Sequence, residues 1–253
     1  MDNVIAVYSA TGNSLSLAKK IEGGSIYLIE KILDNSSPLP EKIGKLGIVF
    51  PVYCFGLPYP VLRFIRECLS KRDNSDIGYI YAIATYSKVP LTALADLETE
   101  LTGIGCALSY GASVKMPIAY VPFRKEAVGE IETLATLNKV QNKIGHIISD
   151  INEEKLEIPS RGIMRRMIRA MSREAAKPRE SKLSVGAGCS GCGICARICP
   201  MDNIRLSDGK AAIGNECISC YACYHRCPEN AISYPDAEGQ YEGLVRTEEL
   251  FKR

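Results

Sequence analysis

The sequence predicts an α/β domain on a five-stranded parallel sheet over residues 1–157, followed by a small α+β domain over residues 183–237. Three observations carry this reading. Five short apolar runs rich in Val, Ile and Tyr alternate with stretches of helical spacing, the pattern of a parallel sheet covered on both faces. Several of these runs open at their carboxyl ends onto loops rich in Gly, Ser or Tyr. From Cys189 onward, the spacing Cys-x2-Cys-x2-Cys-x3-Cys-Pro is given twice.

A chain of 253 residues has room for both units. No apolar run approaches the roughly 18 residues that span a bilayer. The start, Met1-Asp2-Asn3, lacks the basic flank and small-residue cleavage site of a secretory signal. The eleven cysteines then point to a reducing cytoplasm, with Cys54, Cys68 and Cys106 as free thiols. The net charge of +2 is uneven: residues 161–182 hold 8 basic and 2 acidic side chains. A basic excess confined to one short stretch excludes general nucleic-acid binding.

Val4–Tyr8 reads as the first strand, and Leu15, Leu17, Ala18 and Ile21 as a helix after it. The loop between them, Ser9-Ala10-Thr11-Gly12-Asn13-Ser14, offers backbone N–H groups and hydroxyls to an anion; the simpler role is a helix cap. Ser25–Ile29 reads as an edge strand and Lys45–Pro51 as the third strand, which opens onto Val52-Tyr53-Cys54-Phe55-Gly56-Leu57-Pro58. Pro60–Leu69 has helical spacing. Gly78–Thr85 is the fourth strand and leads into Tyr86-Ser87-Lys88; a helix over Leu91–Leu101 and a fifth strand over Gly105–Val114 follow. Ala127–Ile151 reads as a long helix, and His146 on it as structural.

The Ser9–Ser14 loop resembles the FMN-phosphate loop of flavodoxins, with Ser9, Thr11, Gly12, Asn13 and Ser14 matching its Thr-Gly-Asn-Ser form. That resemblance implies strand order 2-1-3-4-5, with FMN at the switch between strands 1 and 3. It implies ring contacts from Val52, Tyr53 and Gly56 on one loop and Thr85, Tyr86 and Ser87 on another. Tyr53 and Tyr86 would stack on the ring, and the Gly56 carbonyl would face the flavin N5. Ala119 stands where an Asn is usual, and the Tyr86 loop lacks the glycines common there.

Residues 158–182 form a basic helical linker. Met164, Met167, Ile168 and Met171 make a stripe flanked by Arg165, Arg166, Arg169 and Arg173, bracketed by Pro159 and Pro178. Such a stripe packs on its own protein, or meets a partner or a membrane surface; the membrane is the least favoured of these.

In the last domain, three thiols at every third residue wrap three corners of a metal–sulfur cube, and a fourth comes from farther along. Zinc is the minor alternative, since it favours separated Cys-x2-Cys knuckles. The pattern resembles the bacterial two-cluster ferredoxins. That resemblance implies a crossover. Cys189, Cys192, Cys195 and Cys227 would hold one [4Fe–4S] cluster, and Cys217, Cys220, Cys223 and Cys199 the other. Ile204 and Ile232 follow the two Cys-Pro pairs at equal distance, as two copies about a pseudo-twofold axis would require. Asp208-Gly209 signals a hairpin, and His225 fills the loop between two ligands. Gly186-x-Gly188-x-x-Gly191 matches a dinucleotide fingerprint in letters but lacks the strand and helix that it needs. Residues 238–253 read as a polar tail.

Together the two halves resemble the fused flavodoxin–ferredoxin family, the EFR-type ferrodoxins of anaerobic bacteria and archaea. The resemblance implies two [4Fe–4S] clusters and FMN passing electrons to and from soluble redox proteins. Two other classes stay open: an FMN-dependent reductase of a quinone- or porphyrinogen-type substrate, and an iron–sulfur redox sensor.

Overall fold

The computed structural model describes residues 2–123, 126–158 and 165–251, and for residues 165–169 the backbone alone. Strand β1 (Asn3–Val7) is almost wholly buried, because Val4, Ile5, Ala6 and Val7 are apolar on both faces. It lies between β2 (Gly24–Leu28) and β3 (Ile43–Pro51). Strands β4 (Ile77–Tyr86) and β5 (Tyr110–Lys115) complete a parallel sheet of order β2-β1-β3-β4-β5. This is the flavodoxin-like α/β topology. Its strand order reverses between β1 and β3, so the loops after those strands diverge and leave a crevice between them.

Helix α1 (Asn13–Ala18) follows β1, and α2 (Ile29–Leu33) follows β2 directly. The sequence reading gave Ile29 to the strand; instead Ile29 and Ile32, three apart, turn together into the core. Helix α3 (Tyr59–Arg63) runs on through a π-helical turn at Phe64–Cys68. Helix α4 (Ala93–Gly103) ends where Gly105 takes φ +81°, with the Cys106 amide donating to the Leu101 carbonyl. That turn delays β5 to Tyr110, five residues after the expected start. Helix α5 (Glu130–Asn152) buries Val140, Ile144, Ile147 and Ile151 against the sheet. Ile131 and Leu134, at helical spacing with them, are exposed. His146 is exposed as well.

Helix α6 (Arg165–Ala175) occupies the linker; Pro159 and Met164 lie outside the described residues. Beyond it, β6 (Ser184–Val185) pairs antiparallel with β9 (Ile232–Ser233). Between them lie α7 (Ile194–Ile198), the hairpin β7 (Ile204–Ser207) and β8 (Lys210–Ile213), and α8 (Ala222–His225). Asp208 and Gly209 form the hairpin turn at φ 51° and 73°. Ile204 and Ile232 are buried in one small core with Cys195, Cys223 and Cys227.

The two domains are not independent. Ile198, Ala222 and Leu250 belong to the same buried cluster as the large sheet, with Ile218, Cys220, Leu244 and Val245 packed against it. Residues 238–253 were expected to be a polar tail; the described part is not loose. Tyr241 is 2% and Leu250 6% exposed, and Lys19 of the first domain pairs with Glu249. The apolar positions Tyr241, Leu244, Val245 and Leu250 are spread among charges, which hid them from a composition-based reading. Among the described residues no helix is long and apolar enough to cross a membrane.

Candidate functional site

A cavity of about 510 Å³ opens at the carboxyl ends of β1, β3 and β4, within the range of small-molecule and cofactor sites. Its wall includes Ser9, Thr11, Asn13 and Ser14 from the first loop, Val52 and Tyr53 from the second, and Thr85, Tyr86 and Ser87 from the third. Of the residues expected there, Gly12 and Gly56 alone are not part of the lining.

The first loop is braced from several sides. The Ser9 hydroxyl oxygen accepts from the Leu15 amide at 3.1 Å, capping α1. The Ser14 and Thr85 hydroxyls share a hydrogen bond of 2.8 Å across the switch point. Asn13 donates from Nδ2 to the Pro117 carbonyl at 2.9 Å, and its Oδ1 accepts from the Tyr241 hydroxyl at 2.8 Å. Asn13 is therefore a strut, with both ends of its amide engaged. Three of the four polar side chains expected to face an anion already have protein partners. The backbone differs: among the described residues, the amides of Ala10, Thr11, Gly12, Asn13 and Ser14 have no acceptor. Gly12, Asn13 and Ser14 are buried, and buried N–H groups without partners are rare.

The second loop makes a tight turn. The Gly56 amide donates to the Tyr53 carbonyl at 2.8 Å, and the Tyr53 amide donates to the Gly56 carbonyl at 3.2 Å. The Gly56 carbonyl, expected to face the cavity, is thus already engaged inside the turn. Gly56 serves packing instead: a Cβ there would meet Ser172 Oγ at 2.8 Å and Asp96 Oδ2 at 2.9 Å. Cys54 and Phe55 at the turn's tip both have positive φ, at 48° and 68°, a strained state for non-glycine residues. The Tyr53 ring meets Tyr8 edge-on at 5.8 Å. Burial pushes both phenols well above their ordinary range; the charges of Tyr53 and Cys220 add to the shift at Tyr8, and that of Cys220 adds to it at Tyr53, where the hydrogen bond with Tyr8 works the other way.

Two walls of the cavity had no signal in the single-domain pattern. Met171, Ser172 and Ala175 of α6 cover one side, held by an ion pair between Arg173 and Glu100 of α4. The Cys54 thiol donates to the Ala175 carbonyl at 3.5 Å. The linker is therefore a cover. Opposite lie Ile218, Ser219 and Cys220 from the second cysteine run. Between the domains, Tyr120 on the cavity wall meets Tyr221 edge-on at 5.4 Å, and Tyr221 meets Tyr234 at 5.5 Å.

The eight cysteines fall into two groups. Cys189, Cys192, Cys195 and Cys227 surround a small pocket under Leu206 and Ala211. Burial pushes the Cys195 thiol up to about 11, and the thiols of Cys189, Cys192 and Cys227 add to the shift. The second group is Cys217, Cys220, Cys223 and Cys199. Burial raises Cys220 and Cys223 well above the usual thiol range, and the neighbouring charges of Cys199 and Cys217 act on both. Backbone amides point at several of the sulfurs, among them Ala211 at Cys189 (3.4 Å), Ser219 at Cys217 (3.3 Å) and Ala231 at Cys227 (3.2 Å). Burial and crowding make these thiols resist ionising alone, the N–H donors favour the thiolate and hold Cys189 below the usual thiol range, and a positively charged metal core removes the remaining penalty. Among the described residues no three His, Cys, Asp or Glu side chains gather closely enough for one metal ion. A four-iron cube offers a separate corner to each thiolate and requires no such convergence.

His225 is 6% exposed. Its Nδ1 accepts from the Tyr241 amide at 3.0 Å, so the ring N–H is on Nε2, 2.8 Å from the Ala119 carbonyl. Burial pulls its pKa down to about 4. It is a neutral brace between the tail and the residue 119 segment. The Gly186–Gly191 stretch holds no helix start of the dinucleotide type: β6 before it is two residues long. Gly191 has φ +70° and lies against the Gly209 carbonyl, which is what its lack of a side chain serves.

Residues 188–232 match the model of the 4Fe-4S dicluster domain family. The second domain is thus an iron–sulfur electron-transfer module. No curated protein matches the chain. Among solved structures, the Trp repressor binding protein from Bacillus subtilis is similar at 15% identity and a TM-score of 0.36, over 47% of this chain and 88% of that one.

Proposed function

We propose that this chain is an electron-transfer flavoprotein of the fused flavodoxin–ferredoxin kind, with FMN in the cavity and [4Fe–4S] clusters in both cysteine groups. The observation that carries the flavin half is the row of acceptor-free amides at Ala10–Ser14. Successive N–H groups of this sort form a concave anion site, which suits a phosphate monoester. Thr11, whose side chain has no protein partner among the described residues, adds a hydroxyl donor. Tyr53 and Tyr86 would border the ring. FMN, when bound, stores two electrons and gives them up singly, matching one-electron clusters.

The ligand sets are Cys189, Cys192, Cys195 with Cys227, and Cys217, Cys220, Cys223 with Cys199. Cys220 belongs both to the second set and to the cavity wall, so that cluster adjoins the flavin. Cys192 is exposed, so the first cluster faces solvent and exchanges electrons with soluble redox proteins. Partner docking on the basic helix would draw on its arginines, of which Arg173 is held by Glu100. The proposed compartment is the cytoplasm.

One feature favours a second reading, that of a flavin reductase. Phe55, Val89, Leu91, Phe123 and Met171 line the cavity and are also exposed, an apolar rim suited to a flat organic substrate. Anaerobic stopped-flow mixing with reduced ferredoxin or with NADH separates the two. The carrier reading expects fast flavin reduction by ferredoxin and slow reduction by NADH. Fast reduction by NADH that survives loss of both clusters would replace it with the reductase.

A further inference from the structure

From Tyr8 to Ala18 the first loop and helix carry no charged residue. Lys19, the next cation, is paired with Glu249. Lys88 lies over the Phe123 ring, 4.3 Å from its centroid, among the exposed residues of the cavity. The cation that reaches the loop comes from the other domain. Arg226, between Cys223 and Cys227 in the chain, donates from Nη2 to the Thr11 carbonyl at 3.0 Å. A Cβ on Gly12 would stand 3.4 Å from the same nitrogen and 2.7 Å from Val245 Cγ2, and Gly12 has φ +98°. Gly12 is thus sandwiched between the loop's own turn and the cluster domain.

The surroundings of Arg226 are unusual for an arginine. Its Nε is buried and has no hydrogen-bond partner among the described residues. Among the described residues no carboxylate comes within ion-pair distance of it; Glu242 and Glu248 act on it from farther off. Arg226 is half-buried, and a guanidinium partly withdrawn from water with no counterion beside it carries a cost. The cost is offset if an anion occupies the adjoining loop, whose five amides likewise have no acceptor.

We infer that Arg226 of the cluster domain is the counter-charge for the phosphate of the flavin held in the first domain, and so sets the preference for FMN over riboflavin. This rests on the flavin reading of the cavity. The amides supply directed hydrogen bonds to the phosphate oxygens. Arg226 supplies the full positive charge from behind the Thr11–Gly12 peptide and fixes that peptide through its carbonyl. Flavin affinity then depends on the cysteine-bearing loop being folded against the first domain.

The test uses the full chain with its iron retained and its flavin removed, without oxygen. FMN and riboflavin affinities are measured by fluorescence quenching for wild type, Arg226→Gln and Arg226→Lys. Gln keeps a donor for the Thr11 carbonyl but not the charge; Lys keeps the charge. Arg226→Gln is expected to weaken FMN about tenfold, the scale of a unit charge acting from behind one peptide, and to leave riboflavin unchanged. Arg226→Lys should retain most of the FMN preference. An unchanged FMN affinity in Arg226→Gln, or an equal loss for both flavins, would reduce Arg226 to a clamp and overturn the inference. Unchanged iron and sulfide content and riboflavin affinity exclude misfolding as the cause. Failure of wild type to bind either flavin would instead end the flavin reading, and the inference with it.

Discussion

Tyr241→Phe tests whether the C-terminal segment is a working part of the first domain. The substitution keeps the ring, which is 2% exposed, and removes the hydroxyl that donates to Asn13 Oδ1 at 2.8 Å. Both partners are buried, so the Asn13 oxygen loses its donor in a place water does not readily reach. Leaving a buried acceptor unsatisfied costs about 1–3 kcal/mol. For a chain of this size that corresponds to a fall in Tm of about 2–4 °C per kcal/mol. Asn13→Ala removes the same bond together with the one to the Pro117 carbonyl, and should cost more. The assay is thermal unfolding by circular dichroism of the flavin-free, iron-loaded protein under anaerobic conditions, for wild type, both single variants and the double variant. The pair should couple by about 1 kcal/mol, because the double variant has no unmet acceptor left to strand. Strictly additive losses, or a Tyr241→Phe protein as stable as wild type, would show that the contact carries nothing.

Other outcomes follow from the same geometry. Cys199→Ser should damage the cluster of Cys217, Cys220 and Cys223 rather than that of its own run, bringing iron from about eight to about four per chain; electron paramagnetic resonance distinguishes which signal is lost. Cys227→Ser should do the reverse, and loss confined to the cluster of Cys217, Cys220 and Cys223 would contradict the grouping. Replacing Thr11 and Ser14 with Ala should weaken FMN and spare riboflavin, and equal loss would return the loop to a plain helix cap. Arg173→Glu sets like charges against Glu100, loosens α6 over the cavity and should speed flavin release severalfold in a stopped-flow dilution; an unchanged rate would mean that α6 is not the cover.

The sheet was legible because its inner strands β1, β3 and β4 are largely buried on both faces and read as near-continuous apolar runs, with the loops between carrying Gly, Ser and Pro, while the edge strand β2 is only half-buried. Element ends were less so. Ile29 left the strand for a helix because helical spacing with Ile32 outweighed its β-branched preference, and β5 waited for the Gly105 turn. The eight cysteines were legible as two runs. The grouping of Cys199 and Cys227 with the opposite run came from resemblance, since spacing alone does not say which strand of chain returns. The cavity was half legible. Its three loops follow from the topological switch, but α6 and Ile218–Cys220 enter through contacts between domains, which no local pattern encodes. The Gly56 carbonyl accepts from the Tyr53 amide across a two-residue turn, a contact that spacing alone does not show. Arg226 stood in plain view between two cysteines, and only the packing of the tail shows what it reaches.

The same tail has a consequence for how the protein is made. The Ser9–Ser14 loop leaves the ribosome before the segment that supports it: Asn13 waits for Tyr241, Gly12 for Val245 and Lys19 for Glu249. Until residues 241–249 are made, the first loop lacks this backing. A ligand proposed for that loop would then meet its complete support only after residues 241–249 have folded back.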